Sequence, residues 1–405
     1  MAVCGIIAEF NPFHNGHRYL IETARRELNP RAVVCVMSGD FVQRGEPAIA
    51  DKYERARAAV KCGADLVVEL PAVCAVNSAQ EFAYGAVRTL KALGCVTHLC
   101  FGSESADTEN LLSAAEVLAK EPEIFKAALA EGLAGGQTYA AACEGALKTA
   151  LKAENKDFSG FCGPNDILAA EYIKQLKLQD FAAVPYAVGR AGIAHDSSEA
   201  EGSFASASLI REMLGRGESP AEFMPQASLE EIAGSVYADA AAKRKEKLFE
   251  FLRYRILTSS AEELAEILSV SEGFENVMKK EILKAESFDG FTQACKSKRY
   301  VLSRINRIAV QTVLGITKKD YEILRSEKPY AKILAFNAIG AEIMHDADST
   351  VNFVTNPNKQ VENVKMAGKG LEIDMKSAEI YGIISGNTLY NSSDKVNVPK
   401  IIKEK

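Results

Sequence analysis

Ile7-Ala8-Glu9-Phe10-Asn11-Pro12-Phe13-His14-Asn15-Gly16-His17-Arg18-Tyr19-Leu20 decides the fold. Its first residues finish a short apolar run, 3–9, and a polar turn then leads into a helix-like stretch, 16–28. A strand that passes through a turn into a helix opens a βαβ unit. The alternation continues with apolar runs at 32–37, 65–70 (ended by Pro71) and 96–101. Between them lie a helix at 78–93 and a segment, 51–61, that carries the charges of an exposed helix face. Residues 107–180 read as mostly helical, and 181–188 as a further strand that completes the sheet. The expectation is an α/β fold, a Rossmann-like doubly wound parallel sheet, with ligands at the carboxyl ends of its strands.

The 405 residues suggest two to three domains. The texture changes near residues 221–225, beyond which Lys- and Arg-rich helical patterns (228–258, 261–285, 291–312) dominate and strand signals are weak. Residues 344–365 read as a polar loop before a last helix. The predicted division is a nucleotide-binding domain at 1–221 and a mainly α-helical C-terminal domain at 222–405. A content of 47% hydrophobic and 25% charged residues fits a globular chain. No uncharged apolar run reaches the length of a membrane span. Glu9 and Pro12 interrupt the first apolar stretch, so a strand is expected there and not a signal peptide. The nine cysteines lack zinc-site spacing and read as small buried hydrophobes in a reducing cytoplasm. The net charge of −6 gives no global pull toward nucleic acid and leaves room for a local basic patch.

The chemistry concentrates at His14-Asn15-Gly16-His17. Gly16 admits an anion close to the backbone, and the N-terminus of the helix points its N–H groups and positive dipole end there. Two imidazoles on that turn suit charge building on an α-phosphate during in-line nucleotidyl transfer. The competing reading is a pair of helix-capping or metal-binding histidines. A second element is Ser206-Ala207-Ser208-Leu209-Ile210-Arg211. Ser206 and Ser208 suit a helix cap, and Arg211 suits a clamp on the outer phosphates. Asn165 reads as a cap of a helix beginning at Ile167, and Gly102 as the end of a strand where a side chain would block a nucleoside.

His-x-Gly-His after the first strand with Ser-x-Ser-x-x-Arg at a late helix resembles the HIGH-motif nucleotidyltransferase superfamily. The run from Glu9 to His17 is similar, more narrowly, to the bacterial tRNA(Met) cytidine acetate ligase family. The blocks 39–48, 63–71, 101–105 and 164–168 continue the likeness, as do Lys298-Arg299-Tyr300, Arg304 and Arg307. The sequence departs from the pattern at Phe10, where Tyr is frequent, at Asp166, where Asn is expected, and at Ala106, where Gly often follows. The resemblance implies an ATP-dependent ligase that forms acetyl-adenylate and pyrophosphate, then acetylates N4 of the wobble cytidine of elongator tRNA(Met). It implies an ATP loop from Ile7 to Leu20, with His14 and His17 catalytic and Gly102, Asn165, Arg190, Ser206, Ser208 and Arg211 as further ATP contacts. Mg²⁺ is inferred only from ATP chemistry.

A tRNA needs a basic face, and Lys296, Lys298, Arg299, Arg304 and Arg307 cluster within a dozen residues, with Tyr300 offering a stacking surface. Lys243, Arg244, Lys245 and Lys247 with Arg253 and Arg255 form a second basic run. The ordinary reading of either is a solvated helix face. The rival enzyme is a small-molecule nucleotidyltransferase that joins AMP or CMP to a phosphorylated metabolite. A non-catalytic nucleotide-sensing or RNA-binding protein is the rival from another class.

Overall fold

A computed structural model describes residues 1–189, 202–236, 239–346, 351–357, 361–386, 394 and 397–403, with 361–367 described as backbone only. Arg190, His195 and Asp196 lie outside the described residues.

The apolar runs form strands because both faces of each are covered. They are β1 (Val3–Ala8), β2 (Ala32–Ser38), β3 (Leu66–Leu70), β4 (His98–Ser103) and β5 (Val184–Gly189). Two later strands join the same sheet, β6 (Tyr330–Phe336) and β7 (Asn352–Val354), giving the order β5-β4-β1-β2-β3-β6-β7. Pairing is parallel from β5 to β3, while β6 runs antiparallel to β3 and β7 parallel to β6. The doubly wound sheet is thus as expected, but β5 does not complete it. The far edge comes from the region in which strand signals are weak, because Lys332 interrupts the apolar run of β6 and β7 is only three residues long.

Side chains alternate along each strand and divide two cores. Val3, Ile7, Val34, Val36 and Val68 enter one; Cys4, Ile6, Val33, Cys35, Met37 and Val67 enter the other. β1 lies between β2 and β4, where the chain reverses its direction of travel across the sheet. The crevice at the carboxyl end of β1 is therefore the place where a ligand fits.

Helices Thr108–Lys120, Glu123–Ala134, Tyr139–Ala153 and Pro164–Leu178 fill the stretch before β5, as expected. The long helical patterns of the C-terminal half are each broken in two: Gln226–Ile232 and Ala240–Thr258, Ala261–Ala265 and Phe274–Glu281, Phe288–Ala294 and Leu302–Leu314. Residues 344–365 hold the end of helix Ala338–Asp346, β7 and the start of helix Val361–Ile384, and are not one loop.

Helix Lys52–Lys61 corrects a further expectation. Its first charges are not on an exposed face, since Lys52 and Arg55 are both 0% exposed. Lys52 Nζ meets Glu69 Oε1 at 2.9 Å and Asp394 Oδ1 at 3.0 Å. Lys332 of β6 reaches the same Glu69 at 3.0 Å and bonds to Asp394, while the Tyr53 hydroxyl donates to Asp394 at 3.0 Å. Arg55 donates to the carbonyls of Glu9, Ser38, Gly39 and Ala50. The charges hold the loop after β2 against the sheet, and their partners lie too far along the chain for periodicity to reveal burial.

Candidate active site

After β1 the chain turns through Phe10, at φ +46°, and a cis Asn11–Pro12 bond into helix Asn15–Leu28. His14 is the N-cap of that helix: its Nδ1 accepts from the Gly16 N–H at 3.0 Å. The His17 Nδ1 accepts from the His14 N–H at 3.2 Å. The two rings stack at 3.9 Å, with Phe10 at 5.0 Å and Phe13 at 5.5 Å from the His17 ring. A nitrogen that accepts these bonds must offer its lone pair, so the neutral rings carry their protons on Nε2. Capping and catalytic readings of the pair are therefore compatible, because one edge of each ring organises the turn and the other edge is a donor. The first turn of the helix carries no acidic residue to occupy its positive end.

These residues border a cleft of about 280 Å³. Of the sequence-predicted ATP contacts, Ile7, Ala8, Glu9, Phe10, Asn11, His14, Gly16, His17, Tyr19, Leu20, Gly102, Asn165, Ser208 and Arg211 line it. Pro12, Phe13, Asn15, Arg18 and Ser206 do not line it. Pro12 and Phe13 are buried beneath the turn. The Asn15 side-chain amide donates to the Ser203 and Glu222 carbonyls, tying the turn to the chain around the second phosphate-type element. Arg18 is exposed beside Glu22, and Ser206 is a buried N-cap that accepts from the Leu209 N–H at 3.1 Å.

Helix Ala207–Gly215 also starts without an acidic residue. Arg211 donates to the Asn11 carbonyl at 2.9 Å and to the Ser208 hydroxyl at 3.2 Å, which brings both phosphate-type elements to one place. Glu9 accepts the Gln43 N–H at 2.7 Å. Burial raises its carboxyl above the usual range, against the pull of that N–H and of Arg211, Arg55 and Arg44.

On the β4 side, helix Pro164–Leu178 starts earlier than expected and is capped by Glu104, not by Asn165. Glu104 accepts the Asn165 side-chain amide at 2.6 Å and the Asp166 N–H at 3.0 Å. Asp166 accepts from the Ser103 hydroxyl and from the N–H groups of Glu104 and Cys162. Burial acts to raise its carboxyl, and these donors outweigh it and hold it below the usual range. An acid stands there because these three donors and the Ser105 N–H, at 3.3 Å, surround it. Ala106 sits at φ +52°, the left-handed region, which explains why a glycine suits this position.

Glu46, which the sequence offers as a solvated carboxylate able to order Arg44 or hold a magnesium ion, lines the cleft with Arg44, whereas sequence reasoning missed Val42, Gln43, Phe82, Leu168, Tyr172 and Phe204 as cleft residues. The signal for the residues of 42–46 is the Gly39–Ala48 block after β2, and for Leu168 the 164–168 block; nothing local marks Phe82, Tyr172 and Phe204. Gly45, at φ +75°, lets this loop lie on helix Leu302–Leu314, where a Cβ would come within 2.3 Å of the Arg307 backbone N.

Lys296, Lys298 and Arg299 are exposed, Arg299 pairing with Glu272 at 2.9 Å. Arg304 is half-buried on the Tyr300 ring. Arg307 lies beside the cleft loop, near the Gln43 carbonyl, and burial with help from Arg304 lowers its pKa to about 10. Tyr300 is not a stacking surface for a base, because it is 5% exposed and already stacked on Phe274 at 4.0 Å. In the second basic run Arg244 is buried, bonded to the Ile49 and Ser235 carbonyls, while Lys243, Lys247 and Arg255 are exposed. Among the described residues no three His, Cys, Asp or Glu side chains converge as a metal site, and no helix is long and apolar enough to cross a membrane.

The family model described as HIGH Nucleotidyl Transferase matches residues 1–395. The tRNA(Met) cytidine acetate ligase of Clostridium perfringens is 36% identical over 97% of this chain and 98% of its own length. That of Acetivibrio thermocellus is 33% identical over 99% and 100%. The chain belongs to the tRNA(Met) cytidine acetate ligase family. Among solved structures, apo Thermotoga maritima TmcAL matches this ligase-family fold with a TM-score of 0.90 at 30% identity, over 99% of this chain and 100% of that one. The same protein bound with alpha-thio ATP matches with a TM-score of 0.88.

Proposed function

We propose that this chain is an ATP-dependent ligase that activates acetate as acetyl-adenylate and transfers the acetyl group to N4 of the wobble cytidine of elongator tRNA(Met). The observation that carries the reading is the pair of imidazoles whose Nδ1 atoms are engaged by backbone N–H groups, at the end of β1 and at the mouth of the cleft. Relatives named for that activity and a like-folded neighbour holding an ATP analogue support it.

Acetate and ATP are both anions, so the cleft must neutralise the triphosphate before attack. His14 and His17 present Nε2–H donors to the α-phosphoryl oxygens as charge builds there. Ser208 and Arg211 hold the departing pyrophosphate, and the acid-free helix ends add their dipoles. No protein nucleophile is needed, because the mixed anhydride is itself the activated acyl donor. Any Mg²⁺ would arrive on the phosphates, with Glu9 and Glu46 the carboxylates on the cleft lining.

Residues 1–221 would bind ATP and residues 222–405 contact the tRNA. Lys296, Lys298 and Arg299 supply exposed phosphate contacts on the side where Arg307 meets the cleft loop. Binding through such contacts weakens steeply with salt. The test is mass spectrometry of nucleosides from elongator tRNA(Met) incubated with the protein, ATP and isotopically labelled acetate. Labelled N4-acetylcytidine at the wobble position is expected. Acetate-dependent exchange of pyrophosphate into ATP with an unmodified tRNA would overturn the acceptor, and exchange indifferent to acetate would overturn the acid.

A further inference from the structure

The cleft has walls from both faces of the sheet. Ile7 of β1 faces the core that holds Phe82 and Tyr172, whereas Ile6 faces the core of Phe10 and Phe13. On the Ile7 side, Leu168 and Tyr172 stand one turn apart on helix Pro164–Leu178, and Phe82 comes from the neighbouring helix Ala79–Ala92. Ile7, Phe82 and Leu168 are apolar, Tyr172 adds a hydroxyl, and Glu9 on the same lining is near enough to act on it. Tyr172 is only 5% exposed, with its ring tilted against Phe101, yet its hydroxyl has no hydrogen-bond partner among the described residues. Tyr172 lines the cleft, so that hydroxyl is left for whatever occupies it.

We propose that this recess is the acid subsite: Tyr172 donates to the carboxylate oxygen that does not attack, and Ile7, Phe82 and Leu168 enclose the methyl group and exclude longer acyl chains. The proposal rests on the acetate ligase reading and assigns its second substrate a place. In-line displacement sets the direction. Arg211, which donates to the Asn11 carbonyl and to the Ser208 hydroxyl, marks the pyrophosphate side next to the histidines, so the attacking oxygen enters from the Ile7 side. One carboxylate oxygen forms a bond to the α-phosphorus. The bond from that phosphorus to the bridging oxygen breaks, and its electron pair leaves with pyrophosphate. No proton is transferred. Burial, with the Glu9 carboxylate adding to it, keeps the phenol protonated and therefore a donor.

The experiment measures the acetate KM and the relative use of acetate, propionate and butyrate in pyrophosphate exchange, with ATP affinity read by calorimetry. Tyr172→Phe keeps the ring and is expected to raise the acetate KM about 10- to 100-fold, as loss of a bond to a charged group does, while leaving ATP affinity within about twofold. Leu168→Ala, on a half-buried position, is expected to shift preference toward propionate by about 10-fold or more. An unmoved acetate KM in Tyr172→Phe, or weakened ATP binding in its place, overturns the subsite alone. Wild-type exchange that needs no carboxylic acid overturns the ligase reading and the subsite with it.

Discussion

The turn after β1 and the charge cluster behind β3 are both dense in ionisable groups, and they are wired in opposite ways. At the cluster, Lys52, Glu69, Lys332 and Asp394 are each at most 3% exposed and satisfy one another from four separate segments of the chain. At the turn, His14, His17 and Arg211 bond to the protein backbone and also line a cleft. The first arrangement is sealed in the core and fixes the position of a loop; the second borders open space. Where the polar groups sit, more than their number, separates a brace from a cleft wall.

The largest effect should come from breaking the brace. Asp394→Ala leaves two buried ammonium groups with Glu69 and, for Lys52, Asp40 at 3.5 Å, and should cost about 3–5 kcal/mol of unfolding free energy. Urea denaturation checks this, and a loss below about 1 kcal/mol would show that the cluster is not a closed unit.

At the turn the expectation reverses. In His17→Asn the side-chain oxygen can still accept the His14 N–H, but the Nε2–H is gone. Acetate-dependent exchange should fall about 100- to 1,000-fold, with unfolding free energy changed by about 1 kcal/mol or less. A variant that unfolds before it loses activity would erase the distinction between the two regions.

A pH scan sharpens the comparison further. Burial raises the Asp40 carboxyl to about 7, against the attraction of Lys52, and its Oδ2 has no hydrogen-bond partner. An aspartate in the unfolded chain releases its proton near pH 4. The folded state therefore binds the extra proton between those values. The stabilisation is complete below about pH 4 and is lost as the pH rises through about 7, with a slope of up to about 1.4 kcal/mol per pH unit. Asp40→Asn should flatten that decline in thermal midpoint, and an unchanged slope would assign it elsewhere. The smallest effect belongs to the rim: Ala106→Gly relieves a left-handed alanine and should stabilise by about 1 kcal/mol or less, read as a raised melting temperature.

The parallel strands, the histidine turn and the Ser208–Arg211 helix were legible because each is written locally, in apolar runs, a glycine and caps. Lys52 and Arg55 were not. At helical spacing they have the signature of a solvated face, and only their partners reveal that they are interior: Glu69 and Asp394, up to 342 positions away, for Lys52, and the carbonyls of Glu9, Ser38 and Gly39 for Arg55. Tyr300 misled for a related reason: an aromatic among cations looks like a stacking platform until Phe274 is seen covering it. Tyr172 carried no local mark, because a tyrosine on an Ala-rich helix is ordinary until its hydroxyl proves to lack a partner.

The antiparallel placement of β6 has a consequence for biosynthesis. While the chain emerges from the ribosome, β3 has an open flank and Lys52 and Glu69 lack two of their counter-charges until residues 330–336 and then Asp394 have been made. The histidine turn is translated first, but the loop that walls its cleft is braced only once Lys332 and Asp394 have been made. A nascent or C-terminally clipped chain would carry every reactive group and still lack a rigid vessel to use them in.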